Sequence, residues 1–129
     1  MRTITDHIVE GDSANHQLTI SVLDEPGQGG ANHQYQIDVD KGLSGDGERS
    51  LRPCLVAFQN GPIKEFGVNG VTQEALLAIV IDRLRSFQAG PFASPFNASA
   101  LRHCEQALGD LQQRTRNRIA RGVEGTHSA

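Results

Sequence analysis

Four arginines, Arg114, Arg116, Arg118 and Arg121, fall within eight positions, with Glu124 the one acid close by. On a helix, Arg114, Arg118 and Arg121 stand at i, i+4 and i+7 and share a face. A guanidinium donates two parallel hydrogen bonds to a phosphate and stacks on a base, which an ammonium does less well. The C-terminal half carries Arg and no Lys. Two readings follow for the cluster. One is a solvated helix end, where cations meet the negative pole of the helix dipole. The other is an anion clamp. Upstream, Phe87, Phe92 and Phe96 flank a Gly-Pro connection. They are expected either to plug the open end of a helical hairpin or to offer a stacking platform worth about 1–3 kcal/mol per base. Asn97 can cap a helix and reach a ligand as well.

Charge distribution narrows the choice of anion. Residues 1–70 carry five basic and ten acidic side chains, a balance of −5, whereas residues 71–129 carry seven Arg against five acids, a balance of +2. Duplex nucleic acid calls for a broad basic face, and an acidic chain with one compact cationic spot suits a small anion better. At 129 residues with 37% hydrophobic content, no Trp and five Phe, the chain is expected to be one domain with a modest aliphatic core that gains stability by oligomerising. The N-terminus has no apolar targeting segment and no membrane-spanning run occurs, so the expected location is cytosolic. Cys54 and Cys104 are expected to be core-facing free thiols.

The elements that must position these residues come in two blocks. Period-two alternation marks strands at Met1–Glu10, Gln17–Asp24 and Gln34–Asp40, with spacers short enough to favour antiparallel pairing. Gly42–Ser50 reads as a flexible loop. A fourth strand at Cys54–Gln59 is expected to turn at Asn60-Gly61 into a return strand, Ile63–Val68. A helical period then replaces the alternation. Thr72 caps a substantially buried helix to about residue 88, ended by Gly90-Pro91. A second helix begins near Asn97, or a turn earlier with Ser94 as cap and Pro95 at its first position. Its seam, Leu101, Cys104, Leu108, Leu111 and Thr115, fits packing on another helix, and Gly122 ends it. The fold class is α+β: an antiparallel sheet over 1–70, an antiparallel αα-hairpin over 72–122, and a tail, 123–129, expected to be ordered only by a partner.

Other chemistry lacks a pattern. The glycines near residues 27–30 and 42–47 fit neither a P-loop nor a dinucleotide fingerprint, so no cofactor is expected. The five His form no short ligand pair with each other or with Cys, so no metal is expected. His16 and His33 read as solvent-exposed. A hydrolase would need a general acid or base near the arginines, for which His103, Glu105 and His127 are the neighbours. A structural protein with a hairpin interaction surface would leave the Arg cluster without a role.

Four stretches resemble a known phage family. They are Phe58-Gln59-Asn60-Gly61-Pro62-Ile63, Gly67-Val68-Asn69-Gly70-Val71-Thr72, Phe87-Gln88-x-Gly90-Pro91-Phe92, and Arg114-Thr115-x-x-Arg118-x-x-Arg121-Gly122-Val123-Glu124-Gly125-Thr126-His127. The likeness, over about 53–127, is to the Thoeris anti-defence protein one family, whose hairpin is shared with phage anti-CBASS sponge proteins. It implies a non-enzymatic sponge in the cytoplasm of an infected bacterium. Such a sponge holds cyclic ADP-ribose isomers, and in some members CBASS cyclic oligonucleotides, without cleaving them. It further implies a homo-oligomer, a dimer or hexamer. By motif, the ligand contacts fall on Phe87, Asn97, Arg114 and Arg118: Phe87 stacks on adenine, Asn97 bonds a ribose or base edge, and the two arginines hold the pyrophosphate. Arg121, Glu124, Thr126 and His127 are candidates for a second site or subunit contacts.

Overall fold

The computed structural model describes residues 1–128; Ala129, the last residue of the expected tail, lies outside them. The chain divides into two compact units, Met1–Asn60 and Gly61–Ala129.

The first unit is a four-stranded antiparallel sheet in the order β1 (Arg2–Ile4), β2 (Leu18–Val22), β3 (Gln34–Leu43), β4 (Arg49–Ala57). Register places Ile4, Leu18, Ile20, Val22, Tyr35, Ile37, Val39, Cys54 and Val56 on one face. Val22 is the best buried of them, and the Tyr35 and Phe58 rings meet edge to face, 5.6 Å apart. The first strand is shorter than its alternation implied. Asp12 accepts the backbone N–H groups of Val9 and His16, and Ile8 N–H bonds Thr5 C=O, so the chain curls after Ile4. Pairing of β3 with β4 runs into the glycine-rich loop. A bulge between Asp40 and Leu43 uses the positive φ of Gly42, and an Arg49–Asp40 ion pair fastens the mouth of the remaining turn.

Two single residues depart from expectation in this unit. Cys54 is exposed, because β4 is an outer strand with a neighbour on one side. His33 is buried, at 7% exposure, whereas His16 is exposed as expected. Gly27 explains the burial of His33: a Cβ there would lie 3.0 Å from His33 Cε1, so the ring occupies space that glycine leaves open.

The regular elements of the second unit are helices: α1 (Ile63–Phe66), α2 (Gln73–Gln88) and α3 (Pro95–Ala120). The expected return strand at 63–68 is not there. Gly61 adopts φ +84°, and Pro62 C=O accepts N–H groups from Glu65 (3.1 Å) and Phe66 (2.9 Å) to make one helical turn. Gly67, at φ 69°, closes it. Ile63 and Phe66 are three apart, which is helical spacing, so local turn chemistry overrode the Asn-Gly hairpin cue.

Capping sets both long helices. Thr72 Oγ1 accepts Ala75 N–H at 3.1 Å, and Ser94 Oγ accepts Asn97 N–H at 3.0 Å with Pro95 in the first turn. The two helices pack on each other, the residues of the expected seam, Leu101, Cys104, Leu108, Leu111 and Thr115, are all half-buried, and Arg85 pairs with Glu105 at 2.9 Å. Burial of α2 is thinner than its composition implied: Ile81 is buried, but Ile79 and Val80 face outward. Among the described residues, no helix is long and apolar enough to cross a membrane.

Candidate ligand-binding site

At the connection end of the hairpin, Phe87 lies on the last turn of α2. The Arg83 guanidinium sits over its ring, 5.5 Å from the centroid. Sequence reading passed over Arg83, although its i, i+4 spacing to Phe87 could have shown it. Asn97 does not cap α3, since Ser94 does so. Instead its side-chain amide donates to Phe92 C=O at 3.2 Å, which ties the first turn of α3 to the connection and leaves the carbonyl oxygen of the amide for another donor. Phe92 and Phe96 do not plug the hairpin: they are 73% and 85% exposed. Phe96 follows Pro95 on the first turn of α3, and Phe92 lies in the connection, so neither falls on the seam between the helices.

The arginine end is built differently. Arg114 is exposed and makes no hydrogen bond or ion pair among the described residues. Arg116 reaches Gln113, and Arg121 bonds Asn117 Oδ1 at 2.9 Å. Arg118 faces inward, its side chain 11% exposed. Its Nε pairs with Glu124 Oε2 at 3.3 Å, and its Nη2 donates to Val123 C=O (3.1 Å) and Thr126 C=O (2.9 Å). Its Nη1 donates to Ser128 C=O. The tail to Ser128 is therefore ordered by its own chain, contrary to expectation. Arg118 has moved from a surface cation to the centre of a ring of carbonyls. Of the other tail candidates, Glu124 and Thr126 belong to that ring, and His127 Nδ1 lies 3.5 Å from Glu65 Oε1.

Chemically, the hairpin offers an exposed aromatic with a cation on its ring, an anchored amide, and a guanidinium free to bind. A base, a ribose and a phosphate match those groups in turn, but one hairpin does not bring them together: Asn97 and Arg114 are 17 residues apart on α3, roughly 25 Å at ~1.5 Å per residue. No three His, Cys, Asp or Glu among the described residues are placed to hold a metal.

Comparison with known proteins agrees with the hairpin. Thoeris anti-defense 1 of Bacillus phage SBSphiJ7 is 51% identical over 74 residues, covering 57% of this chain and 52% of that protein. This chain thus spans about half the length of that relative. Residues 53–115 match the Acb2/Tad1 hairpin domain, a segment that includes Phe87, Asn97 and Arg114 and stops short of Arg118 and the tail. Residues 53–115 thus carry an Acb2/Tad1 hairpin domain, the domain that this family model describes.

Proposed function

We propose that this protein is a phage anti-defence sponge that binds a cyclic ADP-ribose isomer and withholds it from host Thoeris signalling without cleaving it. The observation that carries this reading is the 51% identity to a protein named for Thoeris anti-defence, together with a family segment holding Phe87, Asn97 and Arg114. The proposed site lies between copies of the chain: Phe87 and Asn97 of one copy meet Arg114 and Arg118 of another, because Asn97 and Arg114 are 17 residues apart on α3, roughly 25 Å at ~1.5 Å per residue. Phe87 stacks on the adenine, with Arg83 adding charge at the ring. Asn97 presents its amide to a ribose or base edge, and the two arginines supply the positive potential that holds a pyrophosphate. CBASS cyclic oligonucleotides are a second ligand class in the same proposal, and the site of action is the host cytoplasm. Self-association completes the reading: Leu43, Leu51 and Leu55 in the sheet unit and Phe92, Phe96 and Ile119 in the helical unit are each more than half exposed, apolar side chains that a homo-oligomer would cover.

The test is to incubate the protein with a cyclic ADP-ribose isomer, remove free ligand, denature the protein by heat and analyse what is released. Intact ligand is expected. Linear product would make the protein a hydrolase, and an empty protein would overturn the ligand assignment.

A further inference from the structure

We propose that Arg83 is a positioning residue for the base: from within the same helix it covers one face of the Phe87 ring, fixes the ring, and leaves the other face to a single stacked base. This rests on the sponge reading and deepens one part of it, the hold on the base. Arg83 and Phe87 stand at i and i+4 on α2 and share a face. A helical side chain leans back over the turn before it, which carries the Phe87 ring onto Arg83. The guanidinium lies 5.5 Å from the ring centroid, inside the ~6 Å range of cation–π attraction.

No acid competes for this cation on its own helix. The residues one turn away from Arg83 are Ile79, Val80, Ser86 and Phe87. Arg83 makes no hydrogen bond or ion pair among the described residues, whereas Arg85, two positions on, is committed to Glu105 at 2.9 Å. Ile79 and Val80 are exposed, so the aliphatic stem of Arg83 extends an apolar stripe that ends at Phe87. With the guanidinium in place, Phe87 is still 36% exposed, which leaves ring surface for a flat ligand group. A cation on one face draws π density toward itself, and the depleted far face repels the π cloud of a stacked base less. A ring held before the ligand arrives also costs less to order on binding.

Two measurements on the full-length protein test this. In unliganded protein, the Arg83 Hδ and Hε resonances are expected upfield of their positions in Phe87→Leu, moved by the ring current of Phe87. Coincident resonances in the two proteins would overturn the proposal whether or not a cyclic nucleotide binds, so this arm stands apart from the sponge reading. With a cyclic ADP-ribose isomer as probe, Arg83→Gln is expected to weaken capture about threefold to tenfold. Arg83→Lys, which keeps a cation for the ring, is expected to restore most of it. In a Phe87→Leu background, Arg83→Gln is expected to cost nothing further, because its effect passes through the ring. An unchanged melting curve in Arg83→Gln shows that the hairpin is intact. A full additional loss in the Phe87→Leu background would place Arg83 on the ligand itself and overturn its positioning role. Capture by Arg83→Gln equal to the parent's would overturn it too. A parent that captures no ligand while Arg83 is shifted would overturn the sponge reading, and with it the base that Arg83 serves.

Discussion

The two ends of the hairpin invert the usual rule of burial. At the connection, Phe92 and Phe96 stand in the open; at the far end, Arg118 is nine-tenths enclosed. Partners explain the inversion. An apolar ring is buried where packed elements close over it, and at the connection Phe92 and Phe96 fall outside the helix seam. A charge is buried only where acceptors converge, and the tail brings three backbone carbonyls and a carboxylate around one guanidinium. The connection end therefore keeps its rings open, while at the arginine end Arg118 has bound its own chain and Arg114, one turn earlier, stays open.

The largest effect expected from this contrast is on Arg114. Its replacement by Ala removes one charge-assisted bidentate contact, about 2–3 kcal/mol, hence roughly 30-fold to 150-fold weaker capture of a cyclic ADP-ribose isomer. Thermal stability should not move, because an exposed, unpaired Arg contributes little. Calorimetric titration alongside thermal melting checks both halves. A stability loss without a binding loss would mean that the open guanidinium has no ligand.

Arg118→Ala should, beyond any loss of binding, also destabilise the helix end. It leaves the tail carbonyls and Glu124 without their donor, at a cost of about 2 kcal/mol to the last turn and tail after allowing Glu124 to rehydrate. Protease cleavage between Gly122 and Ser128 would report it. Resistance equal to the parent's would put the tail's order elsewhere, for instance in the bond that Lys64 N–H donates to Gly125 C=O.

How much of this was legible in the sequence follows the same line. Strand alternation and helix caps are local, so the β2–β3 pairing, the Thr72 cap and the Ser94-Pro95 start were readable from a few adjacent residues. Residues 60–67 misled because Asn-Gly is a hairpin cue only when the next residues can pair. Pro62 instead begins a helical turn, against a Gly61 whose added Cβ would fall 2.5 Å from the Phe66 ring. The i, i+4, i+7 spacing correctly placed the arginines on one helix, yet it could not say that a tail ten residues further on would enclose one of them. Burial of His33 behind Gly27 is likewise a contact across a loop that no periodicity encodes.

A smaller effect is expected at the other end. Phe96→Ser changes a side chain that is 85% exposed, so unfolding of dilute protein should shift by about 0.5 kcal/mol or less. If the exposed rings are covered by a second copy, sedimentation should show weaker self-association in the same variant. A clear drop in the stability of dilute protein would mean that Phe96 is packed after all, and the contrast between the ends would lose its apolar half.

The last comparison sets the Arg118 knot against its mirror image in the sheet unit. Asp24 gathers donors as Arg118 gathers acceptors: its carboxylate accepts the backbone N–H groups of His33 (2.9 Å) and Gln34 (3.1 Å), fastening the turn between β2 and β3. Burial works to raise its pKa, but these N–H donors outweigh it and hold Asp24 below its ordinary value. A carboxylate with a lowered folded pKa stabilises the fold above the unfolded value of about 3.9, and that contribution disappears as the pH falls through the lowered folded value. Acid cannot discharge a guanidinium, nor remove the carbonyls around it. Lowering the pH below about 4 should therefore release the amides of His33 and Gln34 to exchange, while Thr126 and Val123 keep most of their protection. Asp24→Asn should flatten the response of the β2–β3 turn and leave the tail untouched. Simultaneous release of both segments would mean that Glu124, rather than the ring of carbonyls, holds Arg118 in place.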